Sequence, residues 1–110
     1  MKIISYDEFI KIDTPTLYCE TKPCWFGDLN IKFDSLNNFK DYYVTPLNPQ
    51  FEGDFDFIEA YGKLSNGKSL KIDLESIERD GNYDYSRKYL IFEKEDIEVL
   101  IDKLKEIIKN

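Results

Sequence analysis

The feature that most limits the fold is a series of short segments in which apolar and polar residues alternate. In the segment 29–34, Leu29, Ile31 and Phe33 are separated by single polar residues. This period of two is typical of a strand with one buried face. Segments at 16–20, 24–26, 39–44 and 88–92 also predict strands, and the prolines and Asn48 at 46–49 predict a loop. The sequence therefore indicates a sheet of neighbouring, mainly antiparallel strands.

Two helices are predicted outside the strand segments. Ser5 and Glu8 have the spacing of a capping box, which predicts a short helix over about 6–11 that ends before Pro15. Near the C-terminal end, apolar residues recur at helical spacing, and acidic residues precede lysines in the order that complements a helix dipole. We therefore expect an amphipathic helix over about 94–109 whose apolar stripe packs on the sheet. The stripe consists of Ile97, Leu100, Ile101, Leu104, Ile107 and Ile108.

The segment from about 54 to 75 is predicted to form a hairpin that turns at Asn66-Gly67. A two-residue turn would mix apolar and polar residues on both faces. A three-residue loop over 65–67, with Gly67 left-handed, instead places Ile58 opposite Leu74 and Ala60 opposite Ile72. One face then becomes wholly apolar. Because a one-residue slip exchanges the two faces, we prefer the three-residue loop.

The other face of that hairpin would place Glu59 directly opposite Asp73, between Phe57 and Tyr61. Like charges in this position destabilise a sheet. Such an unfavourable pair often marks a functional surface, but a solvated face of a sheet also tolerates it. Together with two tyrosines of the loop that follows, this face is the predicted binding surface. The predicted partner-binding residues are Asp54, Asp56, Glu59, Tyr61, Asp73, Glu75, Tyr83 and Tyr85.

The tyrosines support a recognition surface, because tyrosine offers a large rigid contact area and a hydroxyl group. The chain has 8 tyrosines and 8 phenylalanines. We predict that Tyr18 and Tyr89 belong to the core. Tyr42 and Tyr43, like Tyr61, Tyr83 and Tyr85, lie on or beside polar segments.

The composition argues against several classes of function. The chain has no histidine, so the usual catalytic triads lack their base. It has no glycine-rich phosphate loop, and Cys19 and Cys24 alone are too few for a zinc site. The segment 80–84 begins like a calcium loop, but Tyr85 and Ile91 occupy the required glycine and glutamate positions, which favours a plain turn. We therefore expect no catalytic residue, cofactor or metal site.

With 22 acidic and 15 basic residues, the net charge is −7. This charge disfavours nucleic acid and anionic membranes, and it is compatible with a basic protein partner or simply with solubility.

The length of 110 residues fits a single domain spanning 1–110. The predicted class is α+β: a curved, mainly antiparallel sheet of about five or six strands, a short N-terminal helix and a C-terminal amphipathic helix on one face. No segment approaches the roughly 18 apolar residues of a membrane span, and the acidic start is unlike a secretory signal, so we expect a cytoplasmic protein. A disulfide between Cys19 and Cys24 is conceivable, but a reducing cytosol favours free thiols.

The final part of the chain, about 82–110, resembles the immunity proteins of bacterial polymorphic toxin and contact-dependent inhibition systems. The resemblance lies in a polar loop with tyrosines, then Arg87-Lys88-Tyr89-Leu90-Ile91-Phe92, then a helix with an acidic start. It implies a non-catalytic cytosolic inhibitor, monomeric when free, whose acidic surface occludes the active site of a basic cognate toxin, often a nuclease. These proteins share no single binding motif, so no residue role follows.

Two other functions stay open. One is a structural or adaptor subunit of a larger protein assembly, which would show an exposed apolar patch. The other is a DNA mimic, which needs carboxylates spaced like phosphates along an extended face. The interspersed lysines and arginines disfavour the DNA mimic.

Overall fold

The computed structural model describes residues 1–36, 38–49 and 53–109, without the side chains of residues 53–55. The elements in chain order are β1 (Lys2–Ser5), α1 (Tyr6–Ile10), β2 (Thr16–Lys22), β3 (Trp25–Phe26), β4 (Asn30–Ser35), β5 (Tyr42–Pro46), α2 (Gly53–Ser65), β6 (Glu78–Arg79), β7 (Lys88–Ile91) and α3 (Lys94–Ile108).

The strands form one open antiparallel sheet in the order β1-β7-β2-β4-β5-β6, and β3 pairs with β2 beside this path. The last strand, β7, lies between β1 and β2 and pairs with both. The N-terminal strand β1 is therefore held in the sheet by the last strand of the chain. The predicted α+β class is confirmed, with a mainly antiparallel sheet, a short N-terminal helix and a C-terminal helix. The predicted helix at 6–11 is α1, and the Oγ of Ser5 accepts from the amide of Glu8 at 3.3 Å, as the capping pattern indicated.

Strand β5 begins later than the alternation predicted. Phe39 adopts a φ of 55° and its amide donates to the carbonyl of Leu36 at 2.9 Å. This left-handed conformation belongs to a turn rather than to a strand. The strand therefore starts at Tyr42, and Phe39 at its expected start belongs to the connection from β4.

The core lies between α1 and one face of the sheet, and aromatic rings dominate it. The ring of Phe9 stacks on Tyr89 with centroids 3.8 Å apart. It also meets the edges of Tyr18 at 4.7 Å and Tyr42 at 5.2 Å. Tyr18 and Tyr89 are core residues as predicted, whereas Tyr42, which the sequence places beside a polar segment, is also fully buried.

Lys32 lies on this buried face and is itself fully buried. Its Nζ donates to the carbonyls of Ile12 at 2.8 Å and Phe33 at 2.9 Å, and it lies 5.6 Å from the ring centroid of Phe9. Burial lowers the pKa of this amine. The alternation in β4 correctly predicted a strand, with Ile31 and Phe33 on its buried face. In the structure, the opposite face, which carries Lys32, packs against α1.

The predicted hairpin over 54–75 is wrong. Residues 53–65 form α2, and residues 68–77 have no regular secondary structure. Phe57, Tyr61 and Leu64 follow the helical spacing i, i+4, i+7, and a lysine lies in the last turn, which suits a helix dipole. The hairpin was predicted from the Asn66-Gly67 turn signal and from the apolar face that a three-residue loop would create, and neither observation excludes a helix.

The Asn66-Gly67 pair caps this helix instead of turning a hairpin. Gly67 has a φ of 81°, so its left-handed conformation was predicted correctly. Its amide donates to the carbonyl of Leu64 at 3.2 Å, and the amide of Lys68 donates to that of Lys63 at 3.0 Å. This pair of bonds is the Schellman motif, in which a left-handed glycine ends a helix.

Helix α3 covers the predicted segment, but none of its residues is buried. The expected packing of its apolar stripe on the sheet is therefore not observed. Leu104 is 50% exposed, and Ile107 and Ile108 are 68% and 80% exposed. Within the described part of the chain, every helix is too short or too polar to span a bilayer.

Candidate protein-binding surface

The loop between β6 and β7, residues 80–86, is held on the sheet by the buried side chain of Arg87. The guanidinium forms an ion pair with Asp80 at 2.9 Å and a longer one with Glu20 at 3.5 Å. Its Nε donates to the carbonyl of Asp84 at 2.9 Å, and its Nη2 donates to the carbonyl of Asn82. One cation thus organises both the side chains and the backbone of the 80–86 loop.

The same guanidinium lies against the aromatic core. Its central carbon is 5.8 Å from the ring centroid of Tyr6, 5.9 Å from Tyr42 and 5.6 Å from Tyr89. Cation–π attraction strengthens when the cation is desolvated, as it is here. The 80–86 loop is therefore attached to the aromatic core of the molecule.

Asp41 provides a second attachment for this loop. Its carboxylate accepts from the amides of Gly81 at 3.0 Å and Tyr42 at 2.8 Å, and from Nε of Arg79 at 3.0 Å. Burial alone would raise the pKa of Asp41, but these hydrogen bonds outweigh burial and lower it. The buried carboxylate therefore stays ionised and fixes the start of the loop.

Within the loop, polar side chains accept from amides two residues further along the chain. Asp80 accepts from Asn82 at 3.1 Å, Asn82 from Asp84 at 3.1 Å, and Asp84 from Ser86 at 3.0 Å. These are successive Asx turns. Hydrogen bonds from Ser86 lower the pKa of Asp84. The segment that resembled the start of a calcium loop is a plain turn, and its oxygens are used for its own backbone.

The loop presents Tyr83 and Tyr85, two of the predicted binding residues, in defined positions. The hydroxyl of Tyr83 accepts from Nη2 of Arg79 at 3.1 Å. The ring of Tyr85 lies 5.0 Å from that of Tyr6. Both remain about half exposed, at 53% and 47%, so each offers an aromatic surface that is already oriented.

The β2–β3 hairpin adds Trp25 and Phe26, which the sequence analysis did not single out. They are 48% and 61% exposed. Trp25 and Phe26 line a half-open groove of about 710 Å³ together with Asp84 and Ser86, so the hairpin and the 80–86 loop face each other across it. The sequence feature that could have indicated these residues is the single tryptophan of the chain, which lies beside a predicted turn. An exposed tryptophan often belongs to an interface.

Glycine is required behind Trp25. A Cβ atom at Gly27 would lie 2.9 Å from the indole ring, and the amide of Gly27 donates to the carbonyl of Glu20 at 2.8 Å. The Oγ1 of Thr21 donates to the carbonyl of Trp25 at 2.9 Å. The hairpin is therefore closed tightly enough to hold the indole at the rim of the groove.

The other predicted binding residues lie on different elements. Asp56, Glu59 and Tyr61 belong to α2, where Glu59 pairs with Lys63 at 3.4 Å and the ring of Tyr61 stacks on Phe57 at 6.3 Å.

The two acids predicted beyond the turn lie in the irregular segment 68–77. There Asp73 accepts from the amide of Glu75 at 2.8 Å. The predicted cross-strand pair of Glu59 and Asp73 is wrong, because neither residue is in a strand. The side chain of Asp54 lies outside the described residues.

Among the described residues, no cluster of carboxylates and thiols is arranged to hold a metal ion. Cys19 is buried and Cys24 is exposed, and both thiols are free, as expected. Burial raises the pKa of Cys19, so a smaller fraction of this thiol is in the reactive thiolate form.

Comparisons with known proteins do not assign this fold and surface to a family. No protein-family model matches the chain, no curated protein matches it significantly in sequence, and no solved structure matches it significantly.

Proposed function

We propose that this protein is a non-catalytic, protein-binding inhibitor of the immunity type, which neutralises a basic cognate toxin such as a nuclease by covering its active site. The observation that carries the proposal is the 80–86 loop, which holds Tyr83 and Tyr85 half exposed and whose Asp84 and Ser86 line one groove together with Trp25 and Phe26. The resemblance to bacterial immunity proteins supplies the finer class, and with it a cytoplasmic location.

The arrangement suits tight binding because its aromatic residues are already oriented. Tryptophan and tyrosine are the residue types most enriched among energetically dominant interface contacts. A loop that is ordered before binding loses little conformational entropy on association. Arg87 and Asp41 supply this order through buried ion pairs and hydrogen bonds.

The net charge of the chain, rather than the lining of the first groove, favours a basic partner, because that groove carries Lys22, Arg87 and Lys88 together with Glu20 and Asp84. Glu20 and Asp28 line a second groove, which shares Trp25 and Phe26 with the first. The net charge of −7 adds long-range attraction for a cationic protein. Such steering acts mainly on the association rate and weakens as salt increases.

The test uses the protein encoded directly upstream of this gene as the binding probe. We expect a complex whose affinity falls with increasing salt. The substitutions Trp25→Ala and Tyr83→Ala should each raise its Kd by about 10- to 100-fold. Val99→Ala, an exposed change on the outer side of α3, is the matched control and should leave the Kd unchanged. Unchanged affinity in both aromatic variants would exclude this surface.

A second arm tests the acidic residues of α2 and the segment after it. Reversing the charge of Glu59, Asp73 and Glu75 together should slow association and flatten its salt dependence if these residues steer the partner. If the affinity and its salt dependence both stay unchanged, this acidic group does not belong to the binding surface.

A structural or adaptor subunit of a larger assembly is the second candidate, and the exposed apolar stripe of α3 favours it. Such a subunit would co-purify constitutively with its partners. An immunity-type inhibitor would be stable without the toxin.

A further inference from the structure

The apolar stripe of α3 is a second surface, separate from the 80–86 loop and the β2–β3 hairpin. It consists of Ile97, Leu100, Ile101, Leu104, Ile107 and Ile108, of which the last five are between 38% and 80% exposed. The helix is 15 residues long and therefore extends about 22 Å. Contiguous apolar surface of this kind marks an interaction site.

We propose that this stripe pairs with the α3 stripe of a second copy of the chain, in antiparallel orientation, to form a symmetric homodimer. The proposal goes beyond the inhibitor function and uses none of the residues assigned to it. A two-fold symmetric interface requires a surface that is complementary to itself. The stripe meets this requirement in its apolar spacing and in its charges.

The apolar residues of the stripe match in antiparallel register. When Ile97 of one copy lies opposite Ile107 of the other, Leu100 lies opposite Leu104, and the same contacts repeat across the two-fold axis. Ile101 and Ile108 widen the stripe on one side. This spacing is the seven-residue repeat used by paired helices.

The charges of α3 favour the antiparallel orientation over the parallel one. Three acidic residues and Lys94 lie in its first half, 94–101, whereas two lysines and two acidic residues, Asp102 and Glu106, lie in its second half, so the residues that flank the stripe decide the orientation. Glu98 and Lys105 are seven residues apart and flank the same side of the stripe. In the register above, Glu98 of one copy lies within one helical turn, about 5.4 Å along the axis, of Lys105 of the other. Parallel pairing would place like charges together.

A groove beside the start of α3 can receive the far end of the second helix. It has a volume of about 670 Å³, and its apolar walls include Leu17, Ile31, Leu47 and Phe92. Ile97 and Leu100 also line it. Antiparallel pairing brings Ile107 and Ile108 of the second copy, which are 68% and 80% exposed, to this end of the helix.

Sedimentation velocity over a range of protein concentrations tests the proposal on the full chain. We expect a reversible monomer–dimer equilibrium for the unmodified protein. Leu104→Glu should raise the dimer dissociation constant by at least about 100-fold, since it buries a charge at the centre of the interface. Val99→Glu adds the same charge on the opposite side of the helix and should leave dimerisation unchanged. Circular dichroism confirms that both variants remain folded.

A charge exchange tests the orientation. Glu98→Lys and Lys105→Glu should each weaken the dimer, and the double variant should restore it, because the pair is re-formed with reversed charges. A monomer at all concentrations, as the sequence suggested for the free protein, would overturn the proposal. Equal disruption by Leu104→Glu and Val99→Glu, or no recovery in the double variant, would also overturn it.

Discussion

Arg87 shows how one residue can connect a surface loop to an aromatic core. Its guanidinium is desolvated, yet it has two carboxylates, two loop carbonyls and three aromatic rings as partners. A buried charge is tolerated only when it is paired and hydrogen-bonded in this way. Its planar fork matters as much as its charge, because a single ammonium group cannot reach all of these acceptors.

Replacing Arg87 with methionine should therefore destabilise the protein by about 3–5 kcal/mol, because Asp80 would be left without its buried partner. Chemical denaturation monitored by tryptophan fluorescence measures this change. Lys63→Met removes the exposed pair with Glu59 and should cost no more than about 0.5 kcal/mol. Similar costs for the two variants would show that the Arg87 interactions contribute little beyond a surface ion pair.

Helix α2 shows how one local signal can serve two kinds of element. An Asn-Gly pair with a left-handed glycine ends a hairpin loop in one context and a helix in another. The hydrogen bonds of Gly67 and Lys68 to carbonyls within α2 distinguish the two. The apolar face of the predicted hairpin favoured strands, whereas the dipole-compatible charges and the spacing of Phe57, Tyr61 and Leu64 favoured the helix that forms.

Alanine substitutions at two glycines of this segment should have opposite effects on stability. Gly67 has a φ of 81°, so Gly67→Ala should destabilise the helix end by about 1 kcal/mol. Gly62 lies inside α2, and a Cβ there meets no atom within 4 Å. Gly62→Ala should therefore stabilise α2 by about 0.5–1 kcal/mol. Far-UV circular dichroism and thermal unfolding measure both, and loss of stability in both variants would contradict the helical assignment.

At the scale of the whole molecule, stability depends on a core whose largest members are ionisable. Burial raises the pKa of Tyr18, Tyr42 and Tyr89 above the ordinary value of 10.0. Tyr6 shifts in the same direction, also chiefly through burial. The folded state therefore keeps protons that the unfolded chain loses above pH 10. Their contribution is complete below that pH and decreases as the pH rises.

We therefore expect a cooperative alkaline unfolding above pH 10, in which the phenolate absorbance of the buried tyrosines rises together with the loss of the circular dichroism signal. Tyr89→Phe should shift this transition to higher pH, because it removes one of the groups that must ionise. The buried hydroxyl of Tyr89 has no well-formed hydrogen bond among the described residues and interacts only weakly with Tyr42, so its removal should cost little stability at neutral pH. Ionisation of these tyrosines without unfolding would show that the core is open to solvent.

The sequence by itself determined the local features that depend on neighbouring residues. These include α1 with its Ser5 cap, the strands around Tyr18 and Tyr89, and the α3 segment. The polar turns around Tyr83 and Tyr85, two residues of the candidate surface, also followed from a local pattern. Their physical basis is the repeat of each element and its capping chemistry, which act over a few residues.

Only the tertiary structure decided which face of each element is buried and which loops meet. Lys32 is buried because β4 turns that side toward α1, and Trp25 meets the 80–86 loop because β7 pairs beside β2. The stripe of α3 has the pattern of a core helix but stays exposed. Amphipathic spacing predicts that a helix has an apolar side, but it does not predict which part of the structure packs against that side. Packing partners are non-local, and one sequence pattern is compatible with several of them.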